Sequence, residues 1–467
     1  MTATYSLKKT CLALGVIQAL SFTPTFAASI VVDTSGESDT GCSLRNAVES
    51  INTAQNVAGC NAEGTFGIED AINFSVSSIS DLDTEIRISS DVSINPGGGF
   101  VTFSANPIAE NPNRVLYMRG TNVSIENITI SGGRAPSAQD GGGIFATGSQ
   151  LTLQNVVLTN NTAGDDGGGL FVNNSTLFIN DSRITGNSAS DGGGIFTRDS
   201  NVVISDSIIS NNTTETTTSS GDDGGGIYVR GGSASILNTS IIENNANDEG
   251  GGIFVRQSTF TLSNSTVSGN NVGDDGGGIN VDFQANASII HSTFSNNTSG
   301  RIGGGISVSS GSLNLSNSLV AGNKAEASVL PSSEINLSVT ASLNFLGRNL
   351  VGDDSNTLAQ ATNFSPPSSV ILATSDSSQA ASLVSIINPL GFNDGITQTH
   401  ALVEGSPAID VANTAICENS PINLRDQRRL QRTELCDLGS FELGATRFTS
   451  SFSIPPILFL LLKQQDE

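Results

Sequence analysis

Along the middle of the chain short apolar positions recur about every 26 residues, each recurrence preceded by three glycines. The triplets occupy 141–143, 167–169, 192–194, 224–226, 250–252, 276–278 and 303–305. An aliphatic follows each: Ile144, Leu170, Ile195, Ile227, Ile253, Ile279 and Ile306. A second apolar column reads Leu153, Ile179, Ile204, Leu237, Leu262, Ile289 and Leu315. A third reads Leu158, Ile184, Ile209, Ile242, Val267, Phe294 and Val320. A fixed period in the twenties means one small unit stacked on copies of itself. Three short strands per unit, each sending an aliphatic inward, predict an all-β solenoid. Its form is a right-handed parallel β-helix with three strands and about 26 residues per coil.

The polar positions are equally regular. One column holds Asn155, Asp181, Asp206, Thr239, Asn264, His291 and Asn317; another holds Asn161, Asn187, Asn212, Asn245, Asn270, Asn297 and Asn323. Asn and Asp tolerate left-handed backbone angles and bond neighbouring backbone groups, so both columns are expected at turns stacked between coils. Glycine suits the tightest bend, where Cβ atoms on adjacent coils would collide. One interval is longer and contains the polar run 213–220, a loop bulging from a turn. Leucine-rich repeats share this length, but the fixed residue here is glycine and the Leu-x-x-Leu-x-Leu spacing is missing.

Towards the ends the period changes. Leu44, Ala47, Val48 and Ile51 share one helical face with Ser43 as N-cap, predicting a short helix that covers the open first coil. The predicted organisation is an export signal at 1–27, a capping region at 28–70 and the β-helix at 71–387, most regular in 139–323. A C-terminal domain at 388–444 and an apolar tail at 445–467 follow. Lys8 and Lys9, an apolar run from 11 to 22 and Thr25-Phe26-Ala27 carry the export reading. The tail's apolar run, 454–462, is too short to span a bilayer. No spanning helix is therefore expected in the mature chain.

Composition narrows the function. The net charge of −24 opposes phosphate binding, so no nucleic-acid partner is expected. Once the signal with Cys11 is removed, Cys42, Cys60, Cys417 and Cys436 remain. An even count in an exported chain predicts disulfides, and the local pairs Cys42–Cys60 and Cys417–Cys436 are favoured among three connectivities.

Three motifs carry resemblances. Cys42-Ser43-Leu44-Arg45-Asn46-Ala47 resembles the Cys-Ser-Leu-Arg-Glu-Ala motif at the front of many bacterial secreted proteins, with Asn46 in place of the acid. The Gly-Gly-Gly-Ile repeats with their Asn column resemble those of polymorphic outer-membrane proteins and related bacterial β-helix proteins. Thr397 to Leu402, Gly405 to Asp410, Arg425 to Arg428 and Cys436 to Glu442 resemble the choice-of-anchor type Q domain. That last resemblance implies a C-terminal segment attached to, or sorted at, the cell envelope.

Candidate chemistry sits beside the glycines. Acids precede them as Asp165-Asp166, Asp222-Asp223, Asp248-Glu249 and Asp274-Asp275, with single acids at Asp140 and Asp191. Carboxylates stacked a coil apart repel unless solvated or bridged, and calcium takes such oxygen ligands. No other cofactor is expected. Phe145, Phe171, Phe196, Tyr228 and Phe254 follow the first aliphatic column, so alternation points them away from it. On a solvent face they would bind a sugar or partner; under a covering turn they would be core. Neither histidine, His291 or His400, lies in a recognisable catalytic setting, and acids repeated at every turn lack the singularity of an active site. The expected function is a cell-surface or extracellular structural or adhesive protein that binds a glycan or surface partner. A lyase or hydrolase acting on an acidic polysaccharide is the alternative.

Overall fold

The computed structural model describes residues 26–36, 41–67, 69–106, 113–214, 221–326 and 332–447. Nearly all of the export signal and the apolar run of the tail lie outside these residues, as does the loop 215–220.

The chain winds into a right-handed parallel β-helix of about nine turns, with parallel sheets of 20, 12 and 8 strands among the described residues. The expected columns are register lines except in one coil. Ile144 pairs with Leu170, Leu170 with Ile195, Ile195 with Ile227, and so on to Ile306. The first two segments of each coil share the 20-stranded sheet and twice fuse into one strand, Ile195–Ser205 and Ile227–Leu237. The eight-stranded sheet is a further short segment of two to four residues per coil, missed in the sequence because small or polar residues fill most of it, with Val272 the exception.

One coil corrects the predicted alignment. Its second column runs through Ile236, its third through Ile241 and its Asn ladder through Asn244, each one residue before the expected Leu237, Ile242 and Asn245. Asn238, not Thr239, takes the left-handed turn. The longer interval lies entirely before the glycines, so the nine-residue step from Ile195 to Ile204 is kept from Ile227 to Ile236.

The three glycines of a triplet do different jobs. The first has positive φ, 69° at Gly141 and 60° at Gly192. A Cβ on Gly142 would lie 2.4 Å from the Thr162 carbonyl oxygen, and one on Gly143 2.6 Å from that of Gly169. Behind them runs a buried amide ladder. Asn212 Nδ2 donates to the Ile184 carbonyl at 2.9 Å and to Asn244 Oδ1 at 3.0 Å, and its Oδ1 accepts from the Asn187 amide. The ladder ends at Asn323, which donates to the buried Glu334 carboxylate at 2.6 Å.

Helix α1 (Leu44–Thr53) is capped by Ser43 and buries Leu44, Ala47, Val48 and Ile51, as the periodicity predicts. Asn52 fastens it to the solenoid, donating to the Arg87 carbonyl and accepting from the Ser89 amide. Both local disulfides are present, Cys42–Cys60 and Cys417–Cys436. Residues 388–447 do not extend the stack beyond its last coil; they lie along the outer face of the 12-stranded sheet. There Gln427 Nε2 bonds Ser240 and His400 Nε2 meets Ser268 Oγ at 2.9 Å. No helix among the described residues is long and apolar enough to cross a membrane.

Candidate functional site

Outside the first strand segment three columns run side by side: the acids before the glycines, the rings, and a set of arginines. The rings form a continuous column, stacked at 5.2 Å (Phe145–Phe171) and 5.5 Å (Phe171–Phe196), tilted at 4.7 Å (Phe196–Tyr228) and edge-on at 4.8 Å (Tyr228–Phe254) between centroids. They point away from the aliphatic core, yet Phe171, Phe196, Tyr228 and Phe254 are at most 2% exposed and Phe145 is half-buried. The glycine turn covers them: a Cβ on Gly192 would stand 2.8 Å from Phe196 Cβ. Those four rings therefore offer no free face to a ligand, and the covered reading describes them, while Phe145 keeps a partly exposed edge. Tyr117 extends the stack beneath Phe145 at 5.2 Å.

The arginine column was missed in the sequence. Arg198, Arg230 and Arg256 are in register three residues after the first aliphatic of their coils, an offset that could have revealed them. Arg198 lies 5.5 and 5.3 Å over Phe171 and Phe196 and pairs with Asp166 at 2.9 Å.

The acids divide into an inner and an outer row. Asp191 Oδ1 accepts from the Asp223 amide at 2.9 Å, and Asp223 Oδ1 from the Glu249 amide at 3.1 Å. Burial, then the charges of Asp191, Asp165 and Asp140, raise Asp166 to about 8. Burial and neighbouring acids likewise raise Asp223 to about 8 and Asp191 and Glu249 to about 7. Asp222 binds Asn247 Nδ2, and Arg301 sits on both Asp274 and Asp275. Of the predicted metal ligands, Asp165 and Asp166 join Asp140 in a trio whose ligand oxygens lie within 4.8 Å of one another. Asp222, Asp223, Asp248, Glu249, Asp274 and Asp275 form no such group among the described residues.

Both histidines are buried. His291 Nε2 lies 2.9 Å from Asn317 Nδ2 and 3.2 Å from Cys417 Sγ, and burial holds its pKa well below the usual value. His400 Nδ1 donates to the Asn388 carbonyl, and burial lowers its pKa too.

The second strand segment carries a different surface. One outward register line runs Ser93, Ser124, Thr152, Phe178, Val203, Ser235, Thr261, Ser288, Asn314 and Asn344 without a charge. Phe178 and Val203 adjoin each other and are 39% and 41% exposed. Beside them Gln150, Asn201 and Thr259 are exposed amides and a hydroxyl.

No curated protein matches the chain. Among solved structures, a crystal structure of pectate lyase Pel9A aligns at 13% identity, over 90% of this chain and 97% of that one, with a TM-score of 0.44. The family described as right handed beta helix region matches residues 30–213 and 142–325. With its register lines, glycine turns and asparagine ladder, the chain belongs to that right-handed β-helix family.

Proposed function

We propose that the chain is an exported, cell-surface or extracellular β-helix that binds a glycan or surface partner without altering it. The observation that carries this reading is the uncharged face around Phe178 and Val203. In a chain of charge −24 it presents hydroxyls and amides on strands about 4.8 Å apart, with an exposed ring among them. Aromatic faces pack against the apolar faces of pyranose rings, and hydroxyls and amides satisfy sugar hydroxyls. The two disulfides suit an oxidising compartment. The test is a panel of neutral and acidic glycans offered to the purified protein. Intact sugar is recovered bound, and Phe178→Ala weakens binding about tenfold, as loss of a stacked ring should, with little change in Tm. Release of product overturns the reading.

A second reading, a lyase or hydrolase on an acidic polysaccharide, is favoured by the trio Asp140, Asp165 and Asp166 beside Arg198. Carboxylate oxygens so close suit calcium, and a cation there would attract an acidic sugar. Under this reading product release is lost in Asp166→Asn and on chelation. A Tm at pH 8 unchanged by chelator retires the calcium proposal.

A further inference from the structure

We infer that a pocket between α1 and the first coils binds a small ligand bearing one oxyanion, a carboxylate, sulfate or phosphate on a polar body. This site is remote in chemistry from the uncharged face and does not depend on it. The cavity measures about 710 Å³, within the range of small-molecule sites. Arg45, Asn46 and Glu49 reach it from the helix, Glu85 and Arg87 from the coil beneath, and Arg114 from the next. Among the described residues its lining holds three guanidinium groups against two carboxylates. That is a reversal of sign in a chain of charge −24.

The three arginines are not equivalent. Arg45 donates to the Thr84 and Glu85 carbonyls at 2.8 and 3.0 Å. Arg114 is engaged by Glu85 Oε2 at 2.9 Å, Gln139 Oε1 at 3.0 Å and the Asp140 carbonyl at 3.2 Å. Arg87 is presented differently. Its side chain is 70% exposed and pairs through Nη2 with Glu85, the carboxylate that Arg114 shares. Its guanidinium lies 4.9 Å over the Tyr117 ring. In register Arg87 precedes Tyr117 and Phe145, so the ring column ends on a cation at the pocket.

A guanidinium backed by a ring keeps its orientation, and its remaining N–H donors match two oxygens of one oxyanion. The exposed Glu49 can accept from a hydroxyl or amine of the ligand and opposes a second negative charge. The ligand class is therefore a singly anionic polar molecule.

Any salt screens so acidic a chain, so anions must be compared at equal ionic strength. Sodium methyl sulfate, methyl phosphate and glycolate, each singly charged at about pH 5.5, are titrated against sodium chloride at that pH, by calorimetry and melting. At least one of the three binds saturably where chloride does not, and their order identifies the oxyanion. Arg87→Ala weakens that binding by about tenfold or more, and Arg87→Lys, which keeps charge but not the fork, by less. Glu49→Gln tightens it about twofold to fivefold by removing a like charge. The exposure of Arg87 predicts that Arg87→Ala melts as the parent does in chloride. Equal responses to all four anions overturn the inference, as does unchanged binding in Arg87→Ala.

Discussion

At the scale of single residues the acids beside the glycines set the pH response. Asp166, Asp191, Asp223 and Glu249 are half to mostly buried beside one another, and burial with mutual repulsion raises them to about 7 or 8. A group whose pKa is higher in the fold than in the unfolded chain binds its proton more tightly in the fold. The stability it supplies is complete below pH 4 and is lost as pH rises through 8. Melting in chelator should therefore fall in temperature from pH 5 to pH 8.5. Asp223→Asn keeps an oxygen for the Glu249 amide and removes the charge, so it should gain about 1–2 kcal/mol at pH 8.5 and flatten the profile. A parent Tm that is flat from pH 5 to 8.5 would show these acids to be fully solvated. The sequence showed which acids stack but not their burial, because alternation assigns a side of the sheet and says nothing about a turn folding over it. The rings illustrate the same limit: Phe171 and Phe196 point outward and are nonetheless closed in by the glycine turn.

At the scale of elements, ladders hold the coil together. In the asparagine ladder each side chain satisfies groups on two other coils, so removal of one member strands several buried partners at once. Asn212→Ala takes the acceptor from the Asn187 backbone and side-chain amides and a donor from the Ile184 carbonyl, while the Asn244 oxygen keeps the Asn212 backbone N–H. With each buried orphan costing about 1–3 kcal/mol, a loss of roughly 3–5 kcal/mol is expected in chemical denaturation. Asn271→Ala removes an exposed amide contact and should cost under about 1 kcal/mol. Equal losses in the two variants would refute a ladder role. This element was legible in the sequence because its contacts join residues 25 to 27 apart in most coils. It slipped by one residue only in the coil that follows the long loop, where the step within the coil is a better guide than the step between coils.

For the whole molecule, periodicity makes the solenoid readable and leaves the place of the C-terminal module unread. Solenoid contacts repeat at the sequence period, so a pattern in one dimension encodes the stack. The contacts of the module join residues from 96 apart, Asn413 to Asn317, to 223 apart, Arg429 to Asp206, and nothing periodic announces them. Gln427 is the bolt of that interface. Its amide donates to Ser240 Oγ, Thr397 Oγ1 and the Gln398 carbonyl, and its oxygen accepts from Thr266 Oγ1 at 2.7 Å. The module also buries the Arg432–Glu442 ion pair, both side chains 0% exposed, and Arg432 reaches across to Asn264. The interface is thus rich in buried hydrogen bonds, and loss of one leaves polar groups unpaired in a dry setting. Gln427→Ala should loosen the module without unwinding the solenoid. Limited proteolysis would cut within 388–447 at least several-fold faster than in the parent, while the β-sheet circular dichroism of the coils stays the same. If cleavage does not accelerate, the module is held by its apolar contacts around Leu402, Leu438 and Phe441, and the polar interface contributes register alone.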